Sequence, residues 1–299
     1  MTGTSGGSGT GPRPWEYSAF AVTVAGTSWL SPYFRRITLA GPSLRNFAPW
    51  GLDQRIKLVL PRPDGSFADV GLRDEPTPHP RDWYTRWKAL PEGERNVLRT
   101  YTPSAVRPEV GSDIGEIDVD VFIHEPAGPA SRWALDCAVG DEIIITGPDI
   151  RVGYTGYGIH FVPPTPPDWV VLVGDESALP AIVNIARAQR PATRIEVLLE
   201  LADVEDVALA DGALRDRALR TTVAPSEGEP GTALERLVRD WADAEGNAFV
   251  ESGDRAYLWI AGETGAVAAI RRYLTRDVNV PPTQISFLGY WKRGGPLVG

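Results

Sequence analysis

Two short segments carry residue types that suit an anionic ligand with a flat ring. The first is Arg99-Thr100-Tyr101-Thr102, which is typical of an extended strand. Side chains alternate along a strand, so Arg99 and Tyr101 point to one face and the two threonines to the other. A guanidinium beside an aromatic face suits a phosphate joined to a flat ring, whereas an exposed arginine next to a half-buried sheet tyrosine is the plainer interpretation.

The second segment leads from His124 into the turn Ala127-Gly128-Pro129-Ala130-Ser131 and a short helix predicted over 130–137. The first N–H groups of a helix have no partner within it, and small residues let phosphate groups approach the backbone. The hydroxyl of Ser131 adds a further donor. The turn therefore suits a pyrophosphate, and an ordinary helix start is the alternative.

Two further segments follow predicted strands of the second half of the chain. Gly174-Asp175-Glu176-Ser177-Ala178 follows the apolar run 169–174, and Gly262-Glu263 follows the run 256–260. In parallel sheets, ligands bind at the carboxyl ends of the strands. The first loop lacks the full G-x-G-x-x-G and carries two acids, which predicts a loosely held nucleotide. Ordinary strand–helix turns are the alternative.

The last segment whose side chains could bind a ligand is Tyr290-Trp291-Lys292-Arg293, which follows a strand predicted over 285–288. Two aromatic residues followed by two cations suit a flap that covers a flat ligand and places its charges over a cleft. Chain ends are often frayed, so an uninformative tail is the alternative.

The elements that position these segments divide the chain into two kinds of pattern. Short strands with one apolar face, bounded by Gly and Pro, are predicted over 36–40, 55–60, 116–123 and 141–146. They predict an antiparallel Greek-key β-barrel. Strands over 169–174, 194–199, 256–260 and 285–288 alternate with helices that begin at Ser177, Thr232 and Thr264. That alternation predicts a doubly wound parallel α/β sheet.

Domain boundaries follow from composition. The Gly/Ser-rich stretch 1–14 has nothing to bury and is expected to be a disordered tail. We expect the barrel domain at 15–150, a linker at 151–168 that ends in the Pro-rich run 163–168, and the α/β domain with its C-terminal flap at 169–299.

Composition excludes several classes of protein. The 299 residues carry 30 Lys and Arg against 39 Asp and Glu, a net charge of −9, which disfavours a nucleic-acid partner. One Cys and three His exclude a cysteine-ligated cluster and leave little for a metal site. Apolar runs are too short for a membrane span, and no leader pattern is present, so we expect a cytoplasmic protein. The 27 prolines argue against a helical bundle.

The order and spacing of these segments resemble the siderophore-interacting proteins, the ferric-siderophore reductases of the ferredoxin-reductase superfamily. The segment Asp82-Trp83-Tyr84, with Trp87, also matches a stretch that precedes the RTYT strand in this family. The matching stretches are DQRIKLVLP (53–61), RTYT (99–102), HEPAGPASRW (124–133), GDESALPAI (174–182), WIAGETGAVAAIRRYL (259–274) and GYWKRG (289–294).

The resemblance implies a barrel that holds FAD. It implies that Arg99 binds a phosphate, that Tyr101 and Thr102 contact the isoalloxazine ring, and that Tyr290 and Trp291 close over it. Residues expected at the pyrophosphate and ribose are His124, Ala127, Gly128, Pro129, Ala130 and Ser131. The family often has a second arginine soon after RTYT, but here Pro103-Ser104-Ala105-Val106 intervenes before Arg107, which leaves the role of Arg107 open.

The resemblance also implies a nicotinamide nucleotide in the crevice formed by the loops at 174–178 and 262–263. Lys57, Lys292 and Arg293 would form a cationic rim that captures the ferric siderophore. Glu200 and Asp203 lie near the end of the second parallel strand, and acids there favour a ribose hydroxyl, which predicts NADH over NADPH. No catalytic side chain is needed, because the flavin carries out the electron transfer.

Two other functions fit the same sequence. One is a general NAD(P)H-dependent flavin or electron-transfer reductase, and the other is a non-catalytic siderophore-binding carrier. In each case we expect a monomer without a bound metal of its own.

Overall fold

The computed structural model describes residues 16–107, 114–215, 219–225 and 228–294. Seven strands form an antiparallel sheet in the order β4-β3-β7-β1-β2-β6-β5. They are β1 (Tyr17–Trp29), β2 (Phe34–Gly41), β3 (Ile56–Val59), β4 (Leu98–Tyr101), β5 (Ala105–Arg107), β6 (Gly115–Phe122) and β7 (Glu142–Pro148).

Alternating apolar residues give this sheet one buried inner face. Ile117, Val119 and Val121 of β6 lie in one core cluster with Ile56 and Leu58 of β3. These strands stand near opposite ends of the strand order, so the sheet wraps around a single core. The predicted sheet strands are confirmed, whereas the three-residue β5 was not predicted because so short a run has no readable period.

The long segment 61–98 covers the outer face of the sheet. It contains helix α1 (Pro80–Ala89), whose Trp83 is buried with Val59 and Ile144 from the outer sides of β3 and β7. Helix α2 (Pro129–Asp136) packs Ala130 and Ala134 into the inner core. The short helix predicted over 130–137 is confirmed by α2, which lies one residue earlier at each end.

Five strands form the second sheet, which is parallel throughout, in the order β10-β9-β8-β11-β12. The helices are α3 (Leu179–Ala188), α4 (Val204–Leu214), α5 (Thr232–Glu251) and α6 (Thr264–Arg276). The strands are β8 (Trp169–Gly174), β9 (Arg194–Leu201), β10 (Leu219–Pro225), β11 (Ala256–Glu263) and β12 (Ile285–Trp291).

The predicted fold class, an antiparallel barrel-like sheet followed by a parallel α/β sheet, is confirmed. Two elements of the parallel half, α4 and β10, were not predicted. Helix α5 begins at the predicted Thr232 and continues to Glu251. Gly246 lies in the last two turns of α5, where a Cβ would stand 2.9 Å from Val278 Cγ1, so the glycine permits close packing against the segment after α6.

The two halves share an apolar interface. Phe34 of β2 is buried in the core cluster of the parallel half, together with Leu172 and Tyr257, and Phe122 packs against it. The domain boundaries remain a prediction, and the predicted tail at 1–14 lies outside the described residues. Among the helices that are described, none is long and apolar enough to cross a membrane.

Candidate cofactor and nucleotide site

Strand β4 places Arg99 and Tyr101 on the inner side of the antiparallel sheet. In the β3–β4 ladder, Arg99 is opposite Leu58 and Tyr101 is opposite Ile56, and both partners belong to the inner core. The Arg99 guanidinium donates to the carbonyl oxygen of Leu98 at 2.8 Å. No carboxylate pairs with it among the described residues, and burial lowers its pKa. A half-buried cation without a counter-ion therefore lies beside a tyrosine ring.

The end of β4 meets the end of β12 at two buried hydroxyl groups. Thr102 is buried, and neither its Oγ1 nor the Tyr290 hydroxyl has a hydrogen-bond partner of good geometry in the described part of the chain. The two hydroxyls are close enough for Thr102 to influence the Tyr290 pKa, although burial is the dominant cause and raises it. The structure therefore brings Tyr101, Thr102 and Tyr290 together from both halves, with unsatisfied polar atoms between them.

Helix α2 begins without a side-chain cap. Gly128 is its N-cap residue, and no side chain accepts a hydrogen bond from its first N–H groups. The His124 ring lies over this turn, because a Cβ on Gly128 would be 3.1 Å from two of its atoms. Ser131 is buried, and its hydroxyl donates to the carbonyl oxygen of Phe122 at 3.3 Å. The free N–H groups and the helix dipole leave this end suited to an anion.

These observations fit the FAD expected from the resemblance. The unpaired Arg99 guanidinium and the uncapped end of α2 suit phosphate groups, which carry negative charge and accept hydrogen bonds. The Tyr101 ring and the unsatisfied hydroxyls of Thr102 and Tyr290 suit a flat ring system with polar atoms at its edge.

Asp175 organises the crevice at the carboxyl edge of the parallel sheet. Its Oδ1 accepts from the Ser177 backbone N–H at 3.0 Å, and its Oδ2 accepts from the Glu263 N–H at 3.0 Å and from the Trp291 indole N–H at 2.8 Å. A Cβ on Gly262, which has φ +150°, would lie 2.7 Å from Asp175 Oδ2. The carboxylate thus joins the loops after β8 and β11 to the end of β12.

Glu263 also has a structural partner. Its Oε2 accepts from the Ala266 N–H at 2.9 Å, which makes Glu263, rather than Thr264, the N-cap residue of α6. Thr264 instead donates its hydroxyl to the carbonyl oxygen of Trp291 at 2.7 Å. The Trp291 main chain and side chain are therefore both fixed to the crevice loops.

Glu176 is a half-buried acid of the same crevice. Its Oε1 accepts from the Ala202 N–H at 2.6 Å, which links the loops after β8 and β9. Burial, with a contribution from the neighbouring Asp175 charge, raises the pKa of Glu176 to about 8. This carboxyl group is therefore largely protonated at neutral pH, which lowers the negative charge that a nucleotide phosphate meets there.

The acids expected to favour NADH have other roles. Glu200 is buried, and its two oxygens accept from the N–H groups of Gly231 at 3.0 Å and Leu234 at 2.7 Å, at the start of α5. Asp203 is the N-cap residue of α4 and accepts from the Glu205 N–H at 2.7 Å. Both side chains therefore bind helix N-termini, and neither indicates NADH over NADPH.

The three predicted rim cations lie in two places, with Lys57 on β3 and the consecutive residues Lys292 and Arg293 directly after β12. Lys57 Nζ donates to Thr100 Oγ1 at 3.3 Å, and burial and the nearby Arg55 lower its pKa. Lys292 is exposed after β12, and Arg293 forms an ion pair with Glu229. No direct contact joins Lys57 to the other two cations within the described chain.

Arg55 is a candidate site residue that the sequence did not single out. Its Nε atom is buried without a hydrogen-bond partner, and its charge acts on Lys57, His160 and Tyr290. It has no ion-pair partner in the part of the chain that is described. The sequence signal that could have indicated it is its position two residues before Lys57, at the start of β3.

Arg107 binds two carboxylates of the neighbouring strand. Its guanidinium forms two bonds to Asp118, at 2.6 and 2.7 Å, and one to Glu116 at 2.9 Å. These ion pairs lie across the β5–β6 ladder. Among the described residues, no group of three or more His, Cys, Asp or Glu side chains could hold a metal ion.

Comparison with known proteins agrees with this geometry. An antiparallel barrel-like sheet followed by a parallel α/β sheet with a crevice at its carboxyl edge is the ferredoxin-reductase-like fold. A model of the siderophore-interacting FAD-binding domain matches residues 23–152, and one of the siderophore-interacting protein matches residues 167–294. The chain belongs to the siderophore-interacting protein family.

Three relatives illustrate the family. The NADPH-dependent ferric-chelate reductase of Escherichia coli is 29% identical over 90% of this chain and 91% of its own. The siderophore-interacting protein SipS of Aeromonas hydrophila has a solved structure that superposes with a TM-score of 0.63 at 28% identity, over 93% of this chain and 99% of that one. A mycobactin import ATP-binding/permease protein of Mycolicibacterium smegmatis is 30% identical over 75% of this chain. The match spans only 23% of that longer protein.

Proposed function

We propose that this chain reduces ferric siderophores with electrons from NADH or NADPH through bound FAD. The observation that carries the proposal is the unpaired Arg99 guanidinium beside Tyr101, in the half that matches the FAD-binding domain. A half-buried cation is costly unless an anion pairs with it, and the cofactor's phosphates supply that anion.

The residues of this chain bind and orient the reacting groups. Arg99 and the N-terminal end of α2, from Ala127 to Ser131, hold the phosphates, and His124 covers the turn. Tyr101, Thr102 and Tyr290 surround the ring. Trp291 lies at the crevice, where Asp175 fixes its indole.

The nicotinamide nucleotide enters between the loops after β8 and β11, at the point where the strand order reverses. FAD, when bound, accepts two electrons as hydride and passes them on singly, which matches a two-electron donor to a one-electron ferric acceptor. The iron arrives inside its chelator, so the protein does not need to ligate it. Reduction weakens the hold of hard oxygen ligands on iron and releases it.

The cations near the site favour an anionic chelate. Lys57 and Arg55 have no carboxylate partner in the described structure, and Lys292 is exposed. In a protein of net charge −9, such a local positive region steers anionic chelates toward the site. Arg293 contributes once its exposed pair with Glu229 opens, which costs little because surface ion pairs are weak.

The test compares two electron acceptors. We expect Lys57→Gln, Lys292→Gln and Arg293→Gln to slow the reduction of an anionic ferric catecholate while dye reduction by NADH is unchanged. The control is Arg272→Gln, which removes an exposed cation from α6 and should affect neither acceptor.

Two outcomes would support the other functions. Equal effects of the substitutions on both acceptors would indicate a general reductase. A colourless protein that does not bind added FAD would indicate a siderophore carrier. The cytoplasmic location, the monomeric state and the choice between NADH and NADPH remain predictions, and the relative rates of flavin reduction by the two nucleotides decide the last of these.

A further inference from the structure

The loop 51–54 of the antiparallel half reaches into the parallel half. Gly51 and Leu52 both have left-handed backbone conformations, with φ of +71° and +55°. Such a conformation is unfavourable for leucine unless its surroundings hold it. The Leu52 side chain packs against the core cluster of the parallel half, which supplies that constraint.

Asp53, the next residue, is fully buried between the halves. Its Oδ1 accepts from the backbone N–H groups of His160 and Phe161, both at 3.1 Å. Its Oδ2 accepts from the Trp259 indole N–H at 3.0 Å. One carboxylate of the antiparallel half thus binds the connecting segment and strand β11, and a buried carboxylate tolerates little displacement from such partners.

Asn184 of α3 makes the complementary connection. Its Nδ2 donates to the carbonyl oxygens of Leu52 at 3.2 Å and Pro103 at 2.8 Å. Pro103 directly follows Thr102, which lies in the proposed ring site. Helix α3 follows the crevice loop, so this amide ties the nucleotide side of the parallel half to the end of β4.

The Asp53 contact reaches the ring site through Trp259. Trp259 is fully buried and its ring packs edge-on against Tyr290, with 6.1 Å between the ring centres. Four residues further along, β11 ends at Glu263 in the crevice. Asp53 therefore holds strand β11. This strand supports Tyr290 through Trp259, and its end forms one wall of the nucleotide crevice.

We infer that Asp53 is a positioning residue that fixes the nucleotide crevice relative to the flavin site. The inference rests on the proposed function, because it concerns hydride transfer between those two sites. Hydride transfer requires the reacting atoms to be about 3–3.5 Å apart, and a displacement of about 1 Å can slow a reaction about 100-fold.

The central experiment is Asp53→Asn. Asparagine keeps the shape of the side chain but replaces one carboxylate oxygen with an NH₂ group. That group cannot accept from the N–H donors of the other half, so at least one hydrogen bond between the halves is lost. The control is Asp149→Asn, since Asp149 is also fully buried but accepts from Ser18 Oγ at 2.7 Å and from Arg151, away from the interface between the halves.

Two measurements isolate the positioning role. In flavin-free protein, hydrogen exchange at the His160 and Phe161 amides should be faster in Asp53→Asn than in wild type and unchanged in Asp149→Asn. In flavin-loaded protein, the limiting rate of flavin reduction at saturating nucleotide should fall 10-fold or more in Asp53→Asn, with flavin content unchanged. The long-wavelength charge-transfer absorbance of the nucleotide–flavin complex should weaken in parallel.

Wild-type reduction rates in Asp53→Asn would overturn the inference, as would an equal loss in Asp149→Asn. If Asp53→Asn does not fold, Trp259→Phe removes only the indole donor and a small part of the ring, and a wild-type limiting rate in that variant is equally decisive against the inference. Photochemical reduction of the flavin bypasses the nucleotide. Failure of photoreduced wild type to reduce a ferric chelate would refute the proposed function and leave the Asp53 result unaffected.

Discussion

Replacement of Arg99 tests the cofactor site most directly. Arg99→Met keeps a long apolar side chain and removes the charge, so that lost packing does not confuse the result. A charge-assisted hydrogen bond to a phosphate contributes about 1.5–3 kcal/mol. Its loss should therefore weaken FAD binding by about 10- to 150-fold.

The structure predicts that the free protein will not be destabilised by this change. Arg99 has no ion-pair partner in the described chain and donates only to its neighbour's carbonyl oxygen. The free energy of unfolding of flavin-free Arg99→Met should stay within about 0.5 kcal/mol of wild type. Arg107→Met is the contrasting variant. It strips the bidentate partner from the buried Asp118 and should lower stability by about 1–3 kcal/mol with FAD affinity unchanged.

Calorimetric titration of flavin-free protein with FAD and with riboflavin gives the decisive comparison. Riboflavin has the same ring but no phosphate, so Arg99→Met should bind it as wild type does. Equal losses of affinity for both ligands, or an unchanged affinity for FAD, would refute the assignment of Arg99 to the phosphates.

Three further predictions concern buried titratable groups. The folded state holds the Glu176 proton up to about pH 8 while the unfolded chain releases it near 4.5, so Glu176 makes wild type lose stability as pH rises between these values. Glu176→Gln should flatten that slope in urea unfolding at a series of pH values, and parallel slopes would contradict the assignment. Glu200→Gln should lower the free energy of unfolding by about 1–3 kcal/mol through weaker capping of α5, with the NADH-to-NADPH rate ratio unchanged. A changed ratio would restore Glu200 as a ribose ligand. Burial raises the pKa of the Cys137 thiol, so Cys137→Ser should retain wild-type turnover, and lost turnover in a folded, flavin-loaded variant would show that the thiol has a role.

Sequence periodicity predicted the elements that have a strong local pattern. Strand β6 alternates cleanly because its apolar side chains face the inner core while its acidic side chains pair with arginines on the other face. Strand β8 is apolar throughout because both of its faces are buried. Strand β5 has three residues and no readable period. Helix α4 and strand β10 were missed for a related reason, since the 201–225 region mixes small apolar and acidic residues without a clear apolar stripe.

The candidate site was harder to predict because a carboxylate in a loop has several possible partners. Asp175 was expected in the nucleotide crevice, but its contact with the indole of Trp291, 116 residues later, is created only by the fold. Glu200 was assigned to a ribose, whereas its partner Leu234 lies 34 residues further along the chain. The sequence shows where these acidic side chains lie along the chain, but their hydrogen-bond partners are set by tertiary contacts.

The cross-half contacts of Asp53 and Asn184 bear on protein engineering. A chimera that joins this flavin-binding half to a nucleotide-binding half from another reductase would place the Asp53 carboxylate opposite a residue that was not selected to donate to it. Such a graft should transfer the loop 51–54 together with the groups that donate to it, or exchange both halves as one module. The portable unit of this architecture is therefore the pair of halves and not either half alone.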